Sequence, residues 1–137
     1  MAYEQNVQNV TAVAAADLST QQFYPVVIGS TSGRVNTSGT KGSVVYGVLQ
    51  NKPAAAGRGA LVAVGGITKC VVNTAVAAKS IAYDSSLIIG STLKRAMVSS
   101  TGGTAYRFAR AREALSTGHA KGIIAVQITN EGPTSTA

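Results

Sequence analysis

Apolar positions along the chain cluster in short β-branched and aliphatic runs separated by glycine, proline and hydroxyl residues, a pattern that predicts strands and at most a short helix. The clearest case spans residues 44–66. Val44, Val45, Val48 and Leu49 form a run that stops at Asn51-Lys52-Pro53, where proline fixes φ and removes a ladder donor. The loop 54–59 then places glycines on both sides of Arg58, and Leu61-Val62-Ala63-Val64 reads as a second strand closed by Gly65-Gly66. A looser version of this arrangement returns where Ala114-Leu115 precedes the loop 116–122 and the apolar run 123–128.

Phe23-Tyr24-Pro25-Val26-Val27-Ile28 reads as a further strand, with Pro25 at its start or on a sheet edge and Gly29 at its end. Residues 67–73 and 86–97 give more strands, and Gly102-Gly103 marks a turn. The stretch 29–43 is so rich in Gly, Ser and Thr that it predicts a long exposed loop, either mobile or a binding surface. Residues 1–18 show neither a helical period nor alternation and read as an extended N-terminal arm, while 131–137 reads as a polar tail. The main domain is thereby bounded at 19–130. Residues 105–115 are ambiguous: Phe108, Ala111 and Leu115 share a helical face, whereas Phe108, Arg110 and Arg112 share one side of a strand. Propensity alone favours the helix.

Composition narrows the class. A chain of 137 residues is one domain by the usual prior and buries roughly two thirds of its unfolded surface. Hydrophobic residues make up 45% but aromatics only 5%, with no Trp, so Val, Ala, Ile and Leu must fill the core. Charged residues are 12%, against about 25% in an average soluble domain, which suits a protein that works against a partner. The net charge of +7 draws it toward an acidic one, whether nucleic acid or an acidic protein shell. The apolar stretch 10–16 is too short to span a membrane and has no basic segment before it, so neither a membrane span nor a signal peptide is expected.

Catalytic and metal chemistry find few candidates. His119 is the only histidine and Cys70 the only cysteine, without usual zinc-ligand spacing. Cys70 lies among apolar residues, which suits a buried hydrophobe better than a thiolate paired with His119. The segment 33–41 misses the spacing of a phosphate-binding loop, and five acids, two of them near the termini, do not readily assemble a carboxylate pair. No enzyme activity, cofactor or metal is expected. The basic constellation is a stronger candidate: Lys94-Arg95, Tyr106-Arg107-Phe108, Arg110 and Arg112 could combine phosphate neutralisation with base stacking in a small single-strand nucleic-acid binder.

The order of these segments also resembles the capsid cement, or head decoration, proteins of tailed bacteriophages. The run Val45-Tyr46-Gly47-Val48-Leu49-Gln50-Asn51-Lys52-Pro53, then Ala56-Gly57, then Val62 to Val64, and finally Glu113-Ala114-Leu115 leading to Ile128, follow that family's pattern from Phe23 onward. Two departures are Arg110 and Arg112 ahead of Glu113, and Tyr83-Asp84-Ser85 where a Gly-Asp pair is expected.

The resemblance implies a barrel-like or tulip-like single domain and makes 105–115 a strand. It further implies a structural protein of the virion, made in the host cytoplasm, that binds the outer surface of an assembled head and bridges major capsid protein subunits, as a homotrimer. Expected contact residues are Val7, Val10 and Val13 of the arm, which would add as a strand to a neighbouring sheet edge, Gly57 and Arg58 of the central loop, and Arg110 and Arg112. No membrane partner is expected, and nucleic acid is the second reading.

Overall fold

The computed structural model describes residues 2–29, 32–75, 80–90, 94–98 and 105–133, which form nine strands and no helix. In chain order these are β1 (Gln5–Val13), β2 (Pro25–Ile28), β3 (Val35–Asn36), β4 (Gly47–Leu49), β5 (Gly59–Val72), β6 (Ser86–Ile89), β7 (Ala96–Val98), β8 (Tyr106–Ala111) and β9 (Gly122–Pro133). The molecule is a mainly-β single domain built around β5. At 14 residues this strand runs about 46 Å, long enough to serve two sheet regions in turn.

Its first half lies between β1 and β4, and β4 continues to β2 and β3. An isolated bridge from Ala14 to Val35 brings the end of β1 back to β3, so these strands curl into a partial ring. The second half of β5 pairs with β9 from Ile67 to Val72, and β9 leads through β8, β6 and β7 back to Val72 by a single parallel pair with Ala96. Each half has its own interior. Leu18, Val26, Val35, Leu49, Ala60 and Val62 fill the first. Phe108, Leu87, Ile89, Ile124, Val126 and Cys70 are central to the second.

Gly65-Gly66, expected to end a strand, instead let β5 continue. Gly66 has φ of +85°, a left-handed conformation that glycine adopts freely, and it faces Asn6 at +52° on β1. The β1–β5 register is irregular between Gln5 and Asn9, the mark of bulging. An extra residue reverses which parity faces inward. Ala60 and Val62 accordingly face the first interior, whereas Cys70 and Val72, of the same parity, face the second.

The same irregularity corrects the N-terminal expectation. Residues 5–13 are extended, as an arm would be, but they pair antiparallel with the chain's own β5. Their inward positions are Val7, Val10, Ala12 and Ala14, spaced three, two and two, so the bulge removes the alternation that would have marked a strand. At the other end, β9 runs through Pro133 and pairs Gly132 with Arg107, so residues 131–133 belong to the sheet rather than to a polar tail. Within residues 105–115, Tyr106–Ala111 form a strand, β8, with Phe108, Ala109 and Ala111 fully buried, and Leu115 makes an isolated bridge to Ile81. The turn expected at Gly102-Gly103 lies outside the described residues.

Candidate partner-binding surface

Of the expected contact residues, the fold brings Val13, Gly57 and Arg58 together. Gly57 N–H donates to the Ala14 carbonyl and Ala14 N–H to the Arg58 carbonyl, each at 2.9 Å, which ties the loop 54–59 to the end of β1. Asn51 fastens its far side, donating to the Gly59 carbonyl at 3.1 Å and accepting from Leu61 N–H at 3.0 Å. The loop therefore has a defined shape, and Gly57 needs its freedom for a φ of +89°. Val7 and Val10 are placed differently: they are half-buried, Val7 against the second interior and Val10 against the first.

Arg110 and Arg112 are engaged within the chain. Arg110 reaches Glu131 at 2.8 Å and Asp84 at 3.3 Å, while Arg112 stands 3.7 Å from Asp84 and donates through Nε and Nη2 to the Gln127 side-chain oxygen. The hydrogen bond from Arg110 holds the Glu131 carboxyl below the usual carboxylate range, and the same bond pushes the guanidinium up. Two acids thus face two arginines, and the cluster is locally balanced. Of the two aromatics in the basic constellation, Phe108 is fully buried and offers no face for stacking, while Tyr106 is half-buried against the second interior. Cys70 is buried as expected, its thiol pKa pushed up by desolvation and its Sγ 3.7 Å from the Val71 carbonyl. His119 lies in the 116–122 loop with Nδ1 3.0 Å from the Ser116 carbonyl.

A second group of cations surrounds the two aromatics that precede β2. Phe23 holds φ at +68°, a conformation strained for a bulky residue. Its N–H donates to the Leu49 carbonyl at 2.7 Å and its carbonyl accepts from Val71 N–H at 2.9 Å, so β4 and β5 pin it from both sides. Lys69 Nζ lies 5.6 Å from the Phe23 ring centroid. Arg95 Cζ and Lys121 Nζ each lie 5.9 Å from that of Tyr24, and Arg95 Nε donates to the Tyr24 hydroxyl at 3.0 Å. These are cation–π distances, favourable because the ring face carries negative quadrupole density. Beside them opens a groove of about 400 Å³, with apolar lining from Phe23, Val71 and Ile123, polar lining from Ser19, Thr20 and Gln22, and charge from Lys52 and Lys121. Asp17, near this rim, accepts from Ser19 N–H at 2.9 Å.

The rim that carries Lys121 is tied down by the backbone of Thr74, whose N–H donates to the His119 carbonyl at 2.7 Å, and by its buried hydroxyl. Thr74 Oγ1 donates to the Ser116 carbonyl at 2.7 Å and accepts from His119 N–H at 3.0 Å, and Arg95 Nη1 grips the Ala120 carbonyl at 2.5 Å. Thr74→Val would leave the His119 amide without its partner and the Ser116 carbonyl with the His119 ring alone. Urea unfolding should show a loss of about 1–3 kcal/mol, with faster exchange of the His119 amide. An unchanged midpoint and unchanged exchange would mean the loop is held by other contacts.

Arg95 was visible as a basic residue in the sequence, but its association with Phe23, Tyr24, Lys52, Lys69 and Lys121 was not. Those residues come from distant segments that only the pairing of β4, β5 and β9 brings together.

No family model matches the chain, and no curated protein matches it. Among solved structures, the fold is similar to the crystal structure of the head fiber gp8.5 N base of bacteriophage phi29, with a TM-score of 0.58 over 92% of this chain and 97% of that one. Identity is 12%, so the likeness is one of fold. The resemblance to phage head proteins read from the sequence is thereby met by a fold neighbour that is itself a phage head protein.

Proposed function

We propose that this protein is a structural component of a bacteriophage head, which binds the outer surface of the assembled shell and bridges neighbouring major capsid protein subunits. The observation that carries this reading is the fold likeness to a head fiber base across nearly the whole of both chains, which agrees with the cement-like order of segments from Phe23 to Ile128. Low charge content and a rigid, strand-built body suit a part whose work is to hold a position. Bridging requires more than one contact. A trimer engaging three shell subunits would gain avidity of about 10²–10⁴ over a single contact, provided the shell spacing matches, so each copy need bind only weakly.

The test is to mix the purified protein with expanded heads that lack it, sediment the heads, and image them. Saturable decoration at fixed lattice positions, with no binding to unassembled shell subunits, is the expected result. Failure to sediment with heads would remove the proposal.

A further inference from the structure

We propose that the groove beside Phe23 takes up an acidic, extended protein segment, whose carboxylates meet Lys52 and Lys121 while an apolar side chain lies against Phe23 and Ile123. Assigning that segment to the shell rests on the head-protein reading above; the groove's chemistry does not. Charge distribution is the first support. Arg110 and Arg112 face Asp84 and Glu131, whereas Lys52, Lys69, Arg95 and Lys121 form no ion pair with a carboxylate among the described residues. Four cations that face no carboxylate thus gather at and beside this groove, and they contribute to the net charge of +7. The second support is Phe23 itself, since a bulky residue kept at positive φ between two strands is the kind of strain that accumulates at ligand clamps. The third is Ile123, 47% exposed on the groove lining, an apolar contact with no cover of its own.

The same geometry disfavours nucleic acid. Single-strand binders stack bases on open aromatic faces and follow the backbone over several nucleotides. Here Tyr24 is only 5% exposed with Arg95 and Lys121 near its ring, and Lys69 lies near that of Phe23. The groove holds about 400 Å³, room for a few side chains. Compact ammonium groups at its rim suit carboxylates as point charges.

The experiment titrates the full chain with a capped pentapeptide of four glutamates around a central leucine, with its glutamine counterpart and with a ten-nucleotide oligothymidylate, following backbone amide shifts. Shifts centred on Ser19, Phe23, Val71 and Lys121, seen with the glutamate peptide and not the glutamine one, are expected. The pair Lys52→Gln and Lys121→Gln should weaken that binding about tenfold, while Arg110→Gln with Arg112→Gln should leave it unchanged. Absence of localised shifts, or insensitivity to the lysine changes, overturns the proposal. So does tighter binding of the oligothymidylate at the same amides. Head sedimentation separates the two readings. Peptide binding without head binding keeps the groove and removes the head role; head binding unaltered by the lysine changes keeps the head role and removes the groove as its contact.

Discussion

Gly66→Ala is expected to destabilise the protein by about 2–5 kcal/mol, adding the cost of holding an alanine in the left-handed region to that of a steric clash. A β-carbon built at Gly66 falls 2.1 Å from the Asn6 carbonyl oxygen and 2.6 Å from its carbon, and backbone atoms cannot rotate aside as a side chain could. Gly57→Ala is the matched control. Its φ is just as positive, +89°, but a β-carbon there meets nothing within 4 Å, so only the conformational part of the cost, about 1–2 kcal/mol, should appear. Urea unfolding of both variants separates the two contributions. Equal losses would mean that β1 moves away from β5 at no cost, and that the bulge does not lock the two strands together.

Phe108→Ala should cost about 3–5 kcal/mol, a large share of the roughly 5–15 kcal/mol that holds a domain folded. Phe108 is the largest fully buried side chain among the described residues, and it packs in the interior shared by β5, β6, β8 and β9. The other buried side chains of this cluster are Val, Ile, Leu, Ala and Cys70, each too short to fill the space it leaves. Phe108→Leu, which keeps most of the volume, should lose considerably less. A loss below about 1 kcal/mol for the alanine variant, with the denaturant slope unchanged, would show that the interior collapses around the cavity.

Strands with regular apolar runs, β2, β4 and the first part of β9, could be read from the sequence because adjacency along the chain carries their signal. β1 could not, since the bulging between Gln5 and Asn9 moves its inward positions out of alternation. The continuity of β5 was hidden for the complementary reason: a glycine pair is the same sequence whether it ends a strand or lets it bulge. For 105–115, periodicity left helix and strand open, and pairing with β6 and β9 decided for the strand. Candidate contacts divided similarly. The shape of the 54–59 loop followed from Pro53 and its glycines, but the balancing of Arg110 depended on Asp84 and Glu131, 26 and 21 residues away. Net charge can be counted along a chain, whereas the free part of it depends on which acids the fold delivers to which bases.

The central position of β5 also sets a schedule for the chain's birth. Its first half pairs with β1 and β4, both made earlier, but its second half needs β9, whose first residue comes 50 positions after Val72. At ribosomal rates of about 5–20 residues per second, the second half of β5 waits roughly 3–10 s with an unmatched edge. Contacts this distant along the chain also form slowly, because the intervening loop must close before any pairing rewards it. An idle apolar β-branched edge is a template for joining other nascent chains. Within Ile67-Thr68-Lys69-Cys70-Val71-Val72 the only charge is Lys69. That lysine, placed over Phe23 in the finished protein, is the kind of charge that limits edge-to-edge pairing of an exposed strand.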